Sequence, residues 1–188
     1  WKAALAKGHE IGNHTVTHPC TGNFPWSRQN ALEDYTLERM AGELDGANAR
    51  IKELLGVTPR TFAYPCGQTF VGRGESLQSY LPLVAKRFLA GRTFKNEYLN
   101  DPAYCDLAQL GAMDFDRANF ADLEAHLENA AKAGAWLVFA GHEVTPEGRQ
   151  AVQPATLEAL CRYAADPQHG VWLETVQAIA AYVLERRE

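Results

Sequence analysis

The chain predicts an α/β fold built on a parallel sheet. Three observations carry this. Short apolar runs of strand length alternate with amphipathic stretches of helix length about six times along the 188 residues. The run WLVFAGH, residues 136–142, is almost continuously apolar, as in a strand buried on both faces. No internal repeat or low-complexity linker interrupts the pattern. Strand followed by helix, repeated, requires parallel pairing in a sheet that is open or closed into a barrel. The length and the 46% hydrophobic content suit one well-cored domain spanning 1–188.

Taken in order, WKAALAKG reads as the end of a helix stopped by Gly8, and EIGNHT as a short strand running into a loop. Residues 36–55 set Leu37, Met40, Leu44, Ala47, Ile51 and Leu54 at spacings of three and four, a helix with one apolar face, ended by Gly56 and Pro59. RTFAYP is a strand ended by Pro65. Residues 76–88 read as helical, with Pro82 expected near the start. FLAGRTF (88–94) and LAQLGAM (107–113) read as strands. A second amphipathic helix covers 117–133, with Phe120, Leu123, Leu127 and Ala130 on one side. After the 136–142 strand comes PATLEALCRYAA, a helix with proline in its first turn. VWLET (171–175) reads as the last strand and VQAIAAYVLERR as the last helix, its arginines suited to the C-terminal end.

The formal net charge of −5 and the pI near 5.7 argue against nucleic acid as a partner, which needs a basic face. No apolar run reaches the roughly 20 residues of a membrane span. Four cysteines without a CxxC pair make neither a disulfide framework nor a zinc ribbon. Because the chain opens on Trp1, it is expected to be a processed or partial form. Compartment and oligomeric state stay open.

Three of the six histidines lie in GHEIGNHTVTHPC, residues 8–20. His14 and His18, four apart, can turn both imidazoles toward one metal. They can equally cap a loop and bond to backbone. Catalytic zinc uses three protein ligands and an open position, so two histidines demand a third group from elsewhere. His142 follows the buried strand. In parallel α/β folds ligands gather at the C-terminal ends of the strands, where all three of these histidines fall. His9 reads as structural, and His126 and His169 as solvated surface residues.

These segments resemble the polysaccharide deacetylase (NodB-homology) family, carbohydrate esterase family 4. GHEIGNHTVTH is similar to its H-[ST]-x-x-H motif, FAYPCG (62–67) to its F-R-P-P-Y-G motif, and WLVFAGHEV to the motif ending in the catalytic histidine. The resemblance implies a distorted seven-stranded (β/α) TIM-like barrel, here lacking its first strand, and a metal-dependent hydrolase that removes acetyl groups from an N- or O-acetylated carbohydrate. It implies a divalent metal, usually zinc, held by His14 and His18, with His142 as general acid. Tyr64, Pro65, Cys66 and Gly67 would form the loop whose Cys66 N–H donates to the oxyanion. Asp114 and Asp116 fall where supporting carboxylates are expected. Phe24, Trp26 and Tyr35 lie in an insertion beside the histidine pair. Trp26 suits either stacking on sugar or anchoring the loop.

The family's T-F-D-D-G motif, which supplies the general base and the carboxylate ligand, is absent. The chain as written is therefore expected to bind metal weakly and turn over slowly or not at all. Ala63 replaces the arginine that holds the catalytic aspartate. Arg92 or Arg73 is the expected substitute. Two alternatives remain at this point: an amidohydrolase of the same fold acting on another small C–N bond, and an inactive carbohydrate-binding relative. Cys20 and Cys66 should lie close together at the barrel mouth, where a disulfide can form if the protein is exported; whether they are bonded stays open.

Overall fold

A computed structural model describes residues 1–96 and 98–187. After the short helix α1 (Lys2–Ala6) the chain runs extended through Asn13, then enters a long loop containing two 3₁₀ turns. Helix α2 (Leu37–Leu55) follows. Thr36 caps it by accepting from the Arg39 N–H, and Gly56 closes it in the left-handed region at φ 76°. Met40, Leu44 and Ala47 form its buried face, as their spacing predicts.

Strand β1 (Thr61–Ala63) comes next, then β2 (Phe70–Val71) and β3 (Gln78–Ser79), which pair antiparallel. Helix α3 is only Leu81–Ala85, shorter than the helix expected over 76–88. Pro82 is confined to its first turn, since a proline deeper in would remove a backbone bond and clash. Just before it, Tyr80 is fully buried and donates its hydroxyl to Gln68 O and its N–H to Thr69 O, which holds residues 78–80 off the helix.

Strand β4 (Ala90–Arg92) pairs parallel with β1. The strand expected over 107–113 begins later. Residues 107–109 form a 3₁₀ turn capped by Asp106, and the extended segment starts at Leu110 and continues into β5 (Met113–Asp114). Helix α4 is Phe120–Ala133, starting after Asn119, whose side chain accepts from the Asp122 N–H. Strand β6 (Phe139–Ala140) pairs parallel with β5. Strands β7 (Glu143–Val144) and β8 (Ala151–Val152) pair with each other. Helices α5 (Pro154–Ala165) and α6 (Val176–Arg187) complete the chain.

Parallel bridges link Asn13 to Phe62, β1 to β4, Arg92 to Leu110, and β5 to β6. The sheet is thus an arc of five parallel segments laid side by side in chain order. It does not close into a barrel among the described residues. Residues 171–175, expected as the last strand, form no ladder there. What ties the first segment to the end of the chain is a side chain: Glu10 accepts from the Thr61 hydroxyl and, at 2.8 Å, from the Gln177 N–H at the start of α6.

Apolar side chains pack on both sides of this arc. Phe62, Tyr64, Tyr80 and Phe88 join α2 beneath β1, while Ala90, Leu110, Val138 and Ala140 meet Ala180 and Val183 of α6. Such burial of apolar surface is the main favourable term holding the strand ends in register.

Candidate functional site

The C-terminal ends of the five parallel segments carry His14, the Tyr64–Gly67 loop, Arg92, the Asp114–Asp116 turn and His142. Each is positioned by local contacts that the sheet brings together.

The His14–His18 loop is held from behind. Asn13, fully buried, donates from Nδ2 to Leu44 O at 2.9 Å and to Asn48 Oδ1 at 2.8 Å, locking the strand end to α2. Glu43 of α2 accepts from the N–H groups of Val16 and Thr17 at 2.9 and 2.8 Å, and from the Thr17 hydroxyl at 2.8 Å. Thr15 and His18 adopt left-handed φ values of 65° and 52°, which curls the loop so that both imidazoles face one another. Their ring centroids are 4.8 Å apart, edge to face. His14 Nδ1 lies 2.7 Å from Ala63 O. That carbonyl can only accept, so Nδ1 carries the proton and the Nε2 lone pair is free for a ligand.

Burial pushes the His14 imidazole down to about 4, with the charges of His18, Arg92 and His142 adding to the effect. The His14 residue nonetheless keeps solvent-exposed surface. His18 is lowered in the same direction, by burial first and by His142 second. Both rings are therefore neutral near pH 7, the state that binds metal.

Cys20 and Cys66 are joined by a disulfide, with Cα atoms 5.9 Å apart. It ties the histidine loop to the 3₁₀ turn Pro65–Gly67. Cys66 sits at φ 53° and its N–H has no partner among the described residues. Gly67 is obligatory at this corner. Its φ is +69°, and a Cβ there would stand 2.8 Å from Phe94 N. Tyr64 and Pro65 are buried. The Tyr64 hydroxyl donates to Ala108 O at 2.7 Å, so its side chain supports the loop from the core and does not face the mouth.

The opposite side of the mouth carries a His–Asp pair. His142 Nδ1 lies 2.6 Å from Asp116 Oδ2, and the His142 N–H donates to Asp116 Oδ1 at 3.0 Å. Asp116 is 7% exposed and His142 40%. A carboxylate gripping both backbone and ring fixes the orientation of the imidazole and its Nδ1–H tautomer. Nε2 faces the Gln150 amide nitrogen at 3.1 Å. Asp114 supports from one step away, accepting from the Asp116 N–H at 3.0 Å and pairing with Lys95 at 3.1 Å. Phe94 packs edge-on against His142 at 5.6 Å between centroids, linking this pair to Gly67.

Of the two arginines considered, Arg92 lies at the mouth and its burial lowers its pKa, since desolvation disfavours the charged form. Arg73 does not reach the mouth. It pairs with Asp34 and donates to Glu33 O. The inserted loop divides likewise. Tyr35 is buried, hydrogen-bonded to Thr17 and Glu43. Trp26 is 62% exposed, stacks on Phe24 at 5.4 Å and lies 6.0 Å from the His18 ring.

Against the polysaccharide deacetylase family model, residues 1–78 match. This matched segment covers less than half of the chain. It includes His14, His18, Cys66 and Gly67, while Arg92, Asp114, Asp116 and His142 lie beyond the matched residues. A relative from Bacillus subtilis (strain 168), "Uncharacterized protein YlxY", is 37% identical over 66 residues, which is 35% of this chain and 17% of the relative. The chain thus spans a small part of that relative. No solved structure matches.

The His14–His18 pair is a fitting but partial donor set for a divalent metal. Two neutral imidazoles converge, and the His14 tautomer is set. Among the described residues, the one three-ligand cluster is His18 with Cys20 and Cys66, so no carboxylate completes the His14–His18 pair. Glu43 and Gln150 are not marked in the sequence. Neither carries a local signal, because each meets its partner only once the sheet has formed.

Proposed function

We propose that the chain is the site-bearing part of a metal-dependent carbohydrate deacetylase with a TIM-like barrel arrangement. The observation that carries the reading is the neutral pair His14 and His18 across the mouth from the Asp116-gripped His142. A divalent metal, zinc by donor chemistry, would be held by the two imidazoles and would polarise the acetyl carbonyl and activate water. His142 then serves as general acid, delivering a proton from Nε2 to the departing amine or hydroxyl while Asp116 stabilises the imidazolium. The Cys66 N–H, free and aimed by a left-handed turn, donates to the developing oxyanion. Gln150 must release Nε2 for that transfer, since an imidazolium N–H cannot accept from its amide nitrogen. The Phe24–Trp26 stack offers an apolar face for a sugar ring beside His18.

The base and the third ligand require a carboxylate that the described residues do not bring to the pair, and turnover by this chain is accordingly slow. The test is acetate release by the zinc-loaded chain from N-acetylglucosamine oligomers, acetylated xylan and small amides, with and without added formate as a surrogate carboxylate. Slow release from the glycans, raised by formate and abolished in His142→Ala, is the expected result. Glycan binding with no release under either condition would establish the inactive carbohydrate-binding relative instead, and release from the amides alone would establish the amidohydrolase.

A further inference from the structure

The Cys20–Cys66 disulfide sits against His18, and the three side chains form a cluster of their own. One ligand atom from each lies within 4.8 Å of the other two. Cys20 Sγ is 3.7 Å from His18 Nδ1. In a tetrahedral site with metal–sulfur bonds near 2.3 Å and metal–nitrogen bonds near 2.0 Å, a sulfur and a nitrogen ligand stand roughly 3.6 Å apart. The Cys20–His18 separation of 3.7 Å is already close to that value. Two thiolates on the same ion stand about 3.8 Å apart. With the two Cα atoms 5.9 Å apart, side-chain rotation suffices to bring the sulfurs to this spacing.

We propose that reduction of this disulfide creates a second metal site, a Cys2His set of Cys20, Cys66 and His18, selective for thiophilic d¹⁰ cations such as cadmium, zinc or cuprous ion. A dithiol reductant attacks the Cys66 sulfur, the half-buried member of the pair. The Cys20–Cys66 bond breaks, the reductant closes to its own disulfide, and two thiols are left on the protein. A divalent cation then forms two metal–sulfur bonds and releases the two thiol protons to solvent. His18 belongs to both ligand sets, so a cation held by the thiolates competes with one held by His14 and His18. Within this cluster the oxidised protein offers only the His18 nitrogen, and the reduced protein adds two soft sulfurs. The redox state therefore sets which cation the mouth prefers. The proposal does not depend on deacetylase activity, since it concerns ligation alone.

The experiment uses Cd²⁺ as the probe and a Cys105→Ser/Cys161→Ser background, which removes the two other cysteines. The protein is reduced anaerobically with a dithiol, freed of reductant and titrated. One equivalent of Cd²⁺ should give thiolate-to-cadmium charge-transfer absorption in the near ultraviolet and should protect Cys66 from alkylation, read by mass spectrometry. The oxidised protein should show neither signal. His18→Ala should weaken Cd²⁺ binding to the reduced protein about tenfold or more. Absence of the absorption in reduced protein, or equal affinity with and without His18, overturns the proposal. The comparison of reduced with oxidised chain needs no substitution at the site, so a poorly folding variant does not decide it.

Discussion

The two sides of the mouth are built differently. On the His142 side a single buried carboxylate, Asp116, holds the histidine by ring and backbone at once, and the pair is complete within 27 residues of chain, from 116 to 142. On the His14–His18 side no side chain grips both rings. They are set by backbone: two left-handed residues, a carbonyl on His14, three bonds from Glu43 to the loop, and a disulfide to the neighbouring turn. A proton-transfer group needs one partner with matching charge. A metal pair, the role proposed for His14 and His18, must stay neutral and converge, which a shaped loop and burial provide. The first side is self-sufficient, and the second still wants a carboxylate.

Breaking the first side should give the largest effect. Asp116→Ala frees the His142 ring and removes its countercharge. Whatever turnover the zinc-loaded chain shows on acetylated glycans should fall by roughly 10²–10⁴-fold, the usual range for a general acid, with zinc affinity unchanged in a competition titration. Breaking the second side moves the other quantity. His14→Ala should lower zinc affinity by more than about 100-fold, above the effect of losing an outer partner, and leave the fold intact by circular dichroism.

Gly67→Ala tests the seam between the two sides. A Cβ at φ +69° meeting Phe94 N at 2.8 Å forces the backbone to shift, and thermal unfolding should show a loss of about 1–3 kcal/mol. The smallest effect lies far from the mouth. Arg87 grips the Asp45 carboxylate at 2.7 and 2.9 Å and holds it below its ordinary range. A depressed carboxylate stabilises the fold above its unfolded pKa, and this is lost as pH falls through the folded value. Asp45→Asn should therefore cost less than about 1 kcal/mol at pH 7, and the difference from the unmutated chain should shrink below about pH 4.

The long helices were legible because periodicity and caps are local. Gly56 marks an end that the sheet does not alter, whereas the Asn119 cap starts α4 at Phe120, later than the expected 117. The apolar run at 171–175 misled, because a short apolar run does not say which neighbour it pairs with. Residues 76–88 misled for a related reason: the burial of Tyr80 outweighs the helical spacing around it. At the site, His14, His18 and His142 were marked by motif and by their places after strands. The pairing of Asp116 with His142 was legible only as a class of supporting carboxylate, and Glu43 and Gln150 were not legible at all. Their partners lie 26 or 27 residues away for Glu43 and across the β7–β8 turn for Gln150, distances that only the folded sheet closes.

In the proposed function the mouth joins a nitrogen-only metal pair to a separate His–Asp acid. Zinc titration of the oxidised chain, of His14→Ala/His18→Ala and of Asp116→Asn tests it most directly. One zinc per chain is predicted for the unmutated protein and for Asp116→Asn, and none at the same concentrations for the double histidine variant. Zinc that survives loss of both histidines, or that leaves with Asp116, would contradict it.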